Sequence, residues 1–401
     1  MYIFLSTSVS LANESISDKV NIVEMAEQGD IQSQFDLGVI FFNGEKVQRD
    51  YAKARFWFEK AAEQGDRSAQ YNLGIMFFEG KGVQQDYNKA RFWFEKAAEQ
   101  GDSSAQLNLA IMYIKGEGVR QDYAKARFWY EKAAEQGDVS AQFMLGGLYD
   151  KGQGTEQDST KARFWYEKAA KQGNPQAQYN VGLMYNNGEG VRQDYAKAKL
   201  WFEKAAQQGV TYAQYNLGVM FRNGEGGRQD FAKARFWFEK AARQGNILAQ
   251  HNLGLMYDNG EGVRQDLSKA RFWYEKAAEQ GDAKSQYNLG VMLSNGEGVR
   301  QDYLKSRFFY EKAAEQGHVN AQYNLGVMFL RGQGVKRDYT KARLWFEKAA
   351  KQGSPHAQYN LGLMFYNGDG VKQNKKIAKE LFRQSCDAGY QLGCTFYKKI
   401  K

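Results

Sequence analysis

An all-α fold, a right-handed α-solenoid of ten 36-residue helix-turn-helix repeats with half-repeat caps, is what the 401 residues predict, and three observations carry it. The first is a period. A glycine closing the phrase AEQG or a variant of it stands at Gly29, Gly65, Gly101, Gly137, Gly173, Gly209, Gly245, Gly281, Gly317, Gly353 and Gly389, 36 apart without a slip. The second is helical spacing of apolar residues after each of these glycines: counting Gly65 as zero, Ala69, Leu73, Met76 and Phe77 fall at 4, 8, 11 and 12. The third is punctuation, with 42 glycines against only two prolines, which suits helices ended by glycine and excludes collagen-like and Pro-rich chains.

Within one repeat the elements follow in order. The first helix, helix A, carries the offsets 4, 8, 11 and 12. Gly80 and Gly82 then mark a turn, and Asp86 stands as an N-cap whose carboxylate accepts from otherwise unpaired backbone N–H groups. Helix B follows with Tyr87, Ala90, Trp93, Phe94, Ala97 and Ala98 on one face, and Gly101 closes it in left-handed conformation. Two helices of about 14 residues, each about 20 Å long, cannot enclose their own apolar faces, so each hairpin must stack on the next. All eight tryptophans occupy one column, Trp57, Trp93, Trp129, Trp165, Trp201, Trp237, Trp273 and Trp345, with Phe309 in place of one, and read as the wall between hairpins. A mid-helix glycine costs about 1 kcal/mol relative to alanine. Its recurrence at Gly74, Gly146, Gly182, Gly218, Gly254, Gly290, Gly326 and Gly362 therefore implies close packing, and Ala110 implies room for one methyl.

The string from Ala69 to Ala98, A-Q-Y-N-L-G-x-M-F followed by G-x-G-V-x-x-D-Y-x-K-A-R-x-W-F-E-K-A-A, resembles the Sel-1-like repeat, a tetratricopeptide-related family. The resemblance covers nearly all of 17–401. Lys46 stands where the second loop glycine is expected, and the fourth repeat has Phe143 and Met144 in place of Tyr-Asn. The resemblance implies a protein-binding scaffold: family members are mostly adaptors, secreted virulence-type factors and scaffolds of membrane-associated complexes. It also implies a disulfide, because cysteine-rich bacterial members bridge the same C-x7-C spacing that separates Cys386 and Cys394 here. On the residues alone these cysteines are either a bridge across a turn or two buried thiols, in columns held elsewhere by alanine and glutamine such as Ala62 and Gln70.

The ends divide as follows. Residues 1–12 read as a signal peptide lacking its basic n-region, 13–28 as an N-terminal capping helix with Val20, Val23 and Ala26 toward the first hairpin, 29–388 as the ten repeats and 389–401 as a C-terminal capping helix. The expected location is periplasmic or secreted, with a cytoplasmic adaptor as the alternative. No apolar stretch is long enough to cross a membrane.

An enzyme is not expected. Some cysteine-rich relatives handle β-lactams, but no S-x-x-K, S-D-N or K-T-G motif occurs and no H-E-x-x-H. His251, His318 and His356 stand at three different offsets and read as surface substitutions. The loop G-x-G joins helix to helix and lacks the third glycine of a dinucleotide fingerprint. No catalytic residue, cofactor or metal is therefore assigned. The net charge of +9, from 55 basic and 46 acidic residues, is spread along the repeats without a basic block. That disfavours nucleic acid and suits an acidic partner or an anionic envelope polymer.

Binding is expected on the face of helix A opposite the core. Offset 7 is Asn72, Asn108, Asn180, Asn216, Asn252, Asn288, Asn324 and Asn360, and beside it run Tyr71, Tyr179, Tyr215, Tyr287, Tyr323 and Tyr359. Asparagine is a mediocre helix former whose amide both donates and accepts. The column either clamps the backbone of an extended peptide or ties neighbouring hairpins together. Offset 13 changes character, from Phe42, Phe78 and Ile114 through Asp150, Asn186, Arg222, Asp258 and Ser294 to Leu330 and Tyr366, which suits a groove with a selective lining. On helix B a row of phenylalanines, including Phe56, Phe92, Phe128 and Phe164, points away from the core, either as a partner surface or covered by neighbouring Lys and Arg stems.

Overall fold

A computed structural model of the chain describes residues 16–45 and 47–400, with side-chain surroundings from residue 22 onward. The signal-peptide segment, Val20's side chain and Lys46 lie outside these. The described residues form 22 α-helices and no strand. They belong to two compact bodies, Met1–Asp194 and Tyr195–Lys401.

The first body holds α1 (Ile16–Glu27), α2 (Ile31–Asn43), α3 (Tyr51–Glu63), α4 (Arg67–Glu79) and α5 (Tyr87–Glu99). It continues with α6 (Ser103–Lys115), α7 (Tyr123–Glu135), α8 (Val139–Lys151), α9 (Ser159–Lys171) and α10 (Pro175–Asn187). The second body holds α11 (Tyr195–Gln207), α12 (Thr211–Asn223), α13 (Phe231–Arg243), α14 (Ile247–Asn259), α15 (Leu267–Glu279) and α16 (Ala283–Asn295). It ends with α17 (Tyr303–Glu315), α18 (Val319–Arg331), α19 (Tyr339–Lys351), α20 (Pro355–Asn367), α21 (Lys375–Asp387) and α22 (Gln391–Lys399). From α2 to α21 the even-numbered helices are helix A and the odd-numbered ones helix B, each 13 residues long.

The punctuation acts as the sequence implies. Asp86 accepts from the backbone N–H groups of Asn88 and Lys89 at 3.0 Å to start α5, and Asp102 accepts from Ala105 at 2.8 Å to start α6. Gly80 (φ 70°) receives the end of α4. The second loop glycine has a different reason. At Gly334 (φ 64°) a Cβ would lie 2.6 Å from the Tyr303 carbonyl oxygen at the start of the preceding helix B, so this G-x-G is a packing device between repeats.

Offsets 4, 8, 11 and 12 are buried, as at Ala69, Leu73, Met76 and Phe77. The mid-helix glycine meets an aromatic ring on helix B: a Cβ on Gly146 would sit 2.7 Å from the Tyr166 ring and one on Gly326 2.7 Å from the Phe346 ring. These rings, among them Phe58, Phe94, Phe238 and Phe382, are buried, so the glycine's helix penalty is offset by an aromatic side chain removed from water. The N-terminal helix differs in part from expectation: Ala26 is buried, but Val23 is exposed.

Adjacent repeats are joined by a glutamine clamp. Gln70 Nε2 donates to the Ala62 carbonyl of the preceding helix B (3.1 Å) while its Oε1 accepts from Gln100 Nε2 (2.8 Å). The same pair of bonds recurs at Gln106, Gln142, Gln250, Gln286 and Gln322. At the tenth repeat Ala388 stands in place of the second glutamine, and Gln358 Oε1 is buried with no hydrogen-bond partner. Beyond it Cys386 and Cys394 are joined as a disulfide. They occupy the two columns that the clamp uses elsewhere, Ala62 and Gln70, with the same separation of eight residues.

Replacing Gln322 with Leu removes a buried bond to the Ala314 carbonyl and the bond accepted from Gln352, leaving each partner only its contact with Gly317, which should cost about 1–2 kcal/mol. Urea denaturation followed by far-ultraviolet circular dichroism checks it. A loss below about 0.5 kcal/mol, the scale of an ordinary surface substitution, would show that the clamp is dispensable.

Candidate functional site

The tyrosine and asparagine columns meet across repeats. Within each body the tyrosine rings pack on helix-B rings of their own repeats, as Tyr71 does on Phe94 and Tyr323 on Phe346, both at 5.9 Å between centroids. Four of the hydroxyls reach the asparagine of the following repeat: Tyr71 to Asn108, Tyr215 to Asn252, Tyr287 to Asn324 and Tyr323 to Asn360. For the last pair the Asn360 Nδ2 donates to the Tyr323 hydroxyl at 3.3 Å. Some asparagines also serve a helix-B phenol, Asn180 at Tyr166, Asn288 at Tyr274 and Asn324 at Tyr310. Asn108 and Asn252 donate to the carbonyls of Ser104 and Leu248 one turn back. Asn72 and Tyr71 are buried, while Asn216, Tyr179, Tyr359 and the other members of the two columns are half-buried. Burial pushes the Tyr71 phenol up to about 12, with the Asp102 charge adding to the shift, and burial likewise brings Tyr310 to about 12. The column stays protonated and keeps its donors.

Offset 13 controls what covers this ladder. Phe42 lies edge-on to Tyr51 at 5.3 Å, and Phe78 does the same to Tyr87. Arg222 makes a two-pronged ion pair with Glu261 (2.9 and 3.0 Å) and a third bond to Asn252 Oδ1 (2.9 Å). Asp258 accepts from the Tyr274 hydroxyl at 3.1 Å. At Ser294 the side chain is short, and a cavity of about 540 Å³ opens there between α16, α17 and α18. Its lining is mostly polar: the hydroxyls of Tyr287, Tyr303 and Tyr310, the amides of Asn295, Gln301, Asn324 and Gln333, and the guanidinium of Arg331, over Val291, Val327 and Met328.

The helix-B face is different. Phe92, Phe128 and Phe164 are each about half exposed, edge-on to the adjoining tryptophan at 5.0 Å. Lys96, Lys132 and Lys168 hold their ammonium groups 5.7, 5.8 and 4.6 Å from those rings, so the lysine four residues on partly covers the row. Where Phe309 replaces tryptophan, a groove of about 760 Å³ lies between α15 and α17.

His251 is not a surface substitution. Its side chain is 12% exposed, with Nδ1 at 2.9 Å from Ser285 Oγ and 3.4 Å from an Asp282 carboxylate oxygen. Burial holds its pKa below the usual histidine range, opposed by the Asp282 charge. His318 caps α18 and stacks on Tyr287 at 4.6 Å, and His356 lies exposed beside Tyr390. Among the described residues no group of three or more His, Cys, Asp or Glu is placed to hold a metal ion.

Sequence reasoning missed the glutamine columns and the paired tyrosine–asparagine contacts. The signal for the first was present, since offset 5 is glutamine in all ten repeats, but an amide on a helix reads as surface until its carbonyl partner is located.

Known proteins place this arrangement. The family model described as Sel1 repeat matches ten successive segments, 31–66, 67–102, 103–138, 139–174, 175–210, 211–246, 247–282, 283–318, 319–354 and 355–390. The crystal structure of a protective antigen present in uropathogenic Escherichia coli strains, displaying an SLR fold, is 39% identical with a TM-score of 0.88, covering 98% of this chain and 85% of that one. A Sel1 repeat protein from Oxalobacter formigenes is 37% identical with a TM-score of 0.59, covering 79% of this chain and 92% of that one. No curated protein matches.

Proposed function

The chain belongs to the Sel1 repeat family, and from that premise we propose that it is a non-enzymatic scaffold that binds protein or peptide segments along its helix-A face. The observation that carries this reading is the cavity at Ser294, where the tyrosine–asparagine ladder is left open and presents donors and acceptors together. In this reading residues 13–28 and 389–401 are the half-repeat caps. The tyrosine and asparagine columns form the floor of the binding groove while also bracing one repeat against the next.

Tyrosine occupies the position of Ser294 in the tenth repeat, at Tyr366, so the fold accommodates it there. Ser294→Tyr fills the cavity. For a peptide selected on the full chain from a random displayed library, this variant should weaken binding about tenfold or more and leave the thermal midpoint within about 1 °C, below the roughly 2–4 °C that a 1 kcal/mol loss produces in a unit of about 200 residues. Unchanged affinity would move the binding site elsewhere.

We also place the protein outside the reducing cytoplasm, in the envelope or among secreted proteins that meet host proteins. The Cys386–Cys394 bridge supports this, since structural disulfides persist in oxidising compartments. The description of the E. coli relative as a protective antigen supports it too. No helix among the described residues is long and apolar enough to cross a membrane. The unreduced intact mass of the protein from its native cells should begin near Asn13 and be lighter by two hydrogens than the reduced chain. A chain retaining Met1 with free thiols would favour an intracellular adaptor.

A further inference from the structure

The wall of the Ser294 cavity departs from its neighbours in charge. In the second body, offsets 14 and 16 of helix A and its loop are an asparagine and an acid in four of five repeats, and they bond to each other: Asn223 to Glu225 (2.9 Å), Asn259 to Glu261 (3.2 Å), Asn295 to Glu297 (2.9 Å) and Asn367 to Asp369 (3.1 Å). In the ninth repeat the same two offsets are Arg331 and Gln333. An acid is lost and a cation gained, a local change of +2, and both residues line the cavity. Among the described residues Arg331 makes no ion pair, and no carboxylate lines the cavity. Beside them the Tyr303 hydroxyl accepts from Gln301 at 2.9 Å and from Gln333 at 3.5 Å, which leaves its own proton to donate.

A guanidinium, a side-chain amide and a phenolic proton lining one space are a donor set for an oxyanion. The cavity is an open trough, so a chain can run through it with a side chain turned inward. We propose that it recognises an aspartate or glutamate side chain within an extended, acidic segment of a partner protein. Arg331 supplies the charge, Gln333 and Tyr303 supply the orientation, and Ser294 leaves the space. This rests on the reading of the helix-A face as a peptide-binding surface.

The test uses the full chain and a random dodecamer library displayed on phage. Enriched sequences should share an Asp or Glu at one position, and an enriched peptide should bind with its C-terminus amidated. Binding should weaken about tenfold, the scale of one charge-assisted contact, when that acid becomes its amide. It should weaken about as much when the protein carries Arg331→Asn with Gln333→Glu, a pair that the flanking repeats already accommodate. Enrichment without an acid, loss of binding on amidation, or affinity within about twofold in the double variant would overturn the acidic specificity while leaving peptide binding intact. A library with no enriched sequence would overturn both.

Discussion

A buried glutamine amide, bonded on one side to the carbonyl of the preceding repeat and on the other to a second glutamine, sets the register on which the rest depends. A helical hairpin leaves one apolar face uncovered, and hydrophobic burial against the next hairpin is strong but non-directional. Direction comes from the amide. Gln106 satisfies the Ala98 carbonyl and is itself satisfied by Gln136. In a buried joint an unmade partner costs more than the bond contributes when made, so a slip of one residue is penalised at every repeat. That accounts for a spacing of 36 with no insertion. It also accounts for the chain's end, where the second glutamine is absent and a covalent bridge, Cys386 to Cys394, occupies the columns that hydrogen bonds occupy before it.

Because register and core are held by offsets 4, 5, 8, 9, 11 and 12, with the tyrosine and asparagine columns bracing them, offset 13 is free to differ without loss of packing. It does so widely: a phenyl ring over Tyr51, a guanidinium clamped to Glu261, a carboxylate under Tyr274, and at Ser294 a short side chain beside open space. The ladder beneath stays much the same, with phenols kept protonated by burial. An array of this kind holds its donors in fixed positions before a partner arrives, which lowers the ordering cost of binding.

Much of the fold was legible because the chain carries its own internal comparison. Ten copies show which offsets change least, and helical spacing converts them into a core, caps and turns; Ala69, Leu73, Asp86 and Gly101 do in the structure what their offsets imply. The site was less legible. The partner of Tyr287 is Asn324, one repeat away, and their meeting depends on how two hairpins cross, a quantity that no periodicity contains. His251 read as a surface residue because its offset is unlike those of the other histidines, yet the ring packs on Tyr274 in the place usually held by tyrosine. Ser294 stood out only as one member of a varied column, since an absent side chain becomes informative once its neighbours are seen.

The central claim is that recognition belongs to the helix-A face around α16–α18 and that helix B serves mainly to build the wall behind it. Amide hydrogen exchange on the full chain, with and without a saturating library-selected peptide, tests this most directly. The account predicts added protection confined to segments between Tyr287 and Gln333, with the helix-B stretches around Phe92, Phe128 and Phe164 unchanged. Protection along those phenylalanines, with none near Ser294, would contradict it.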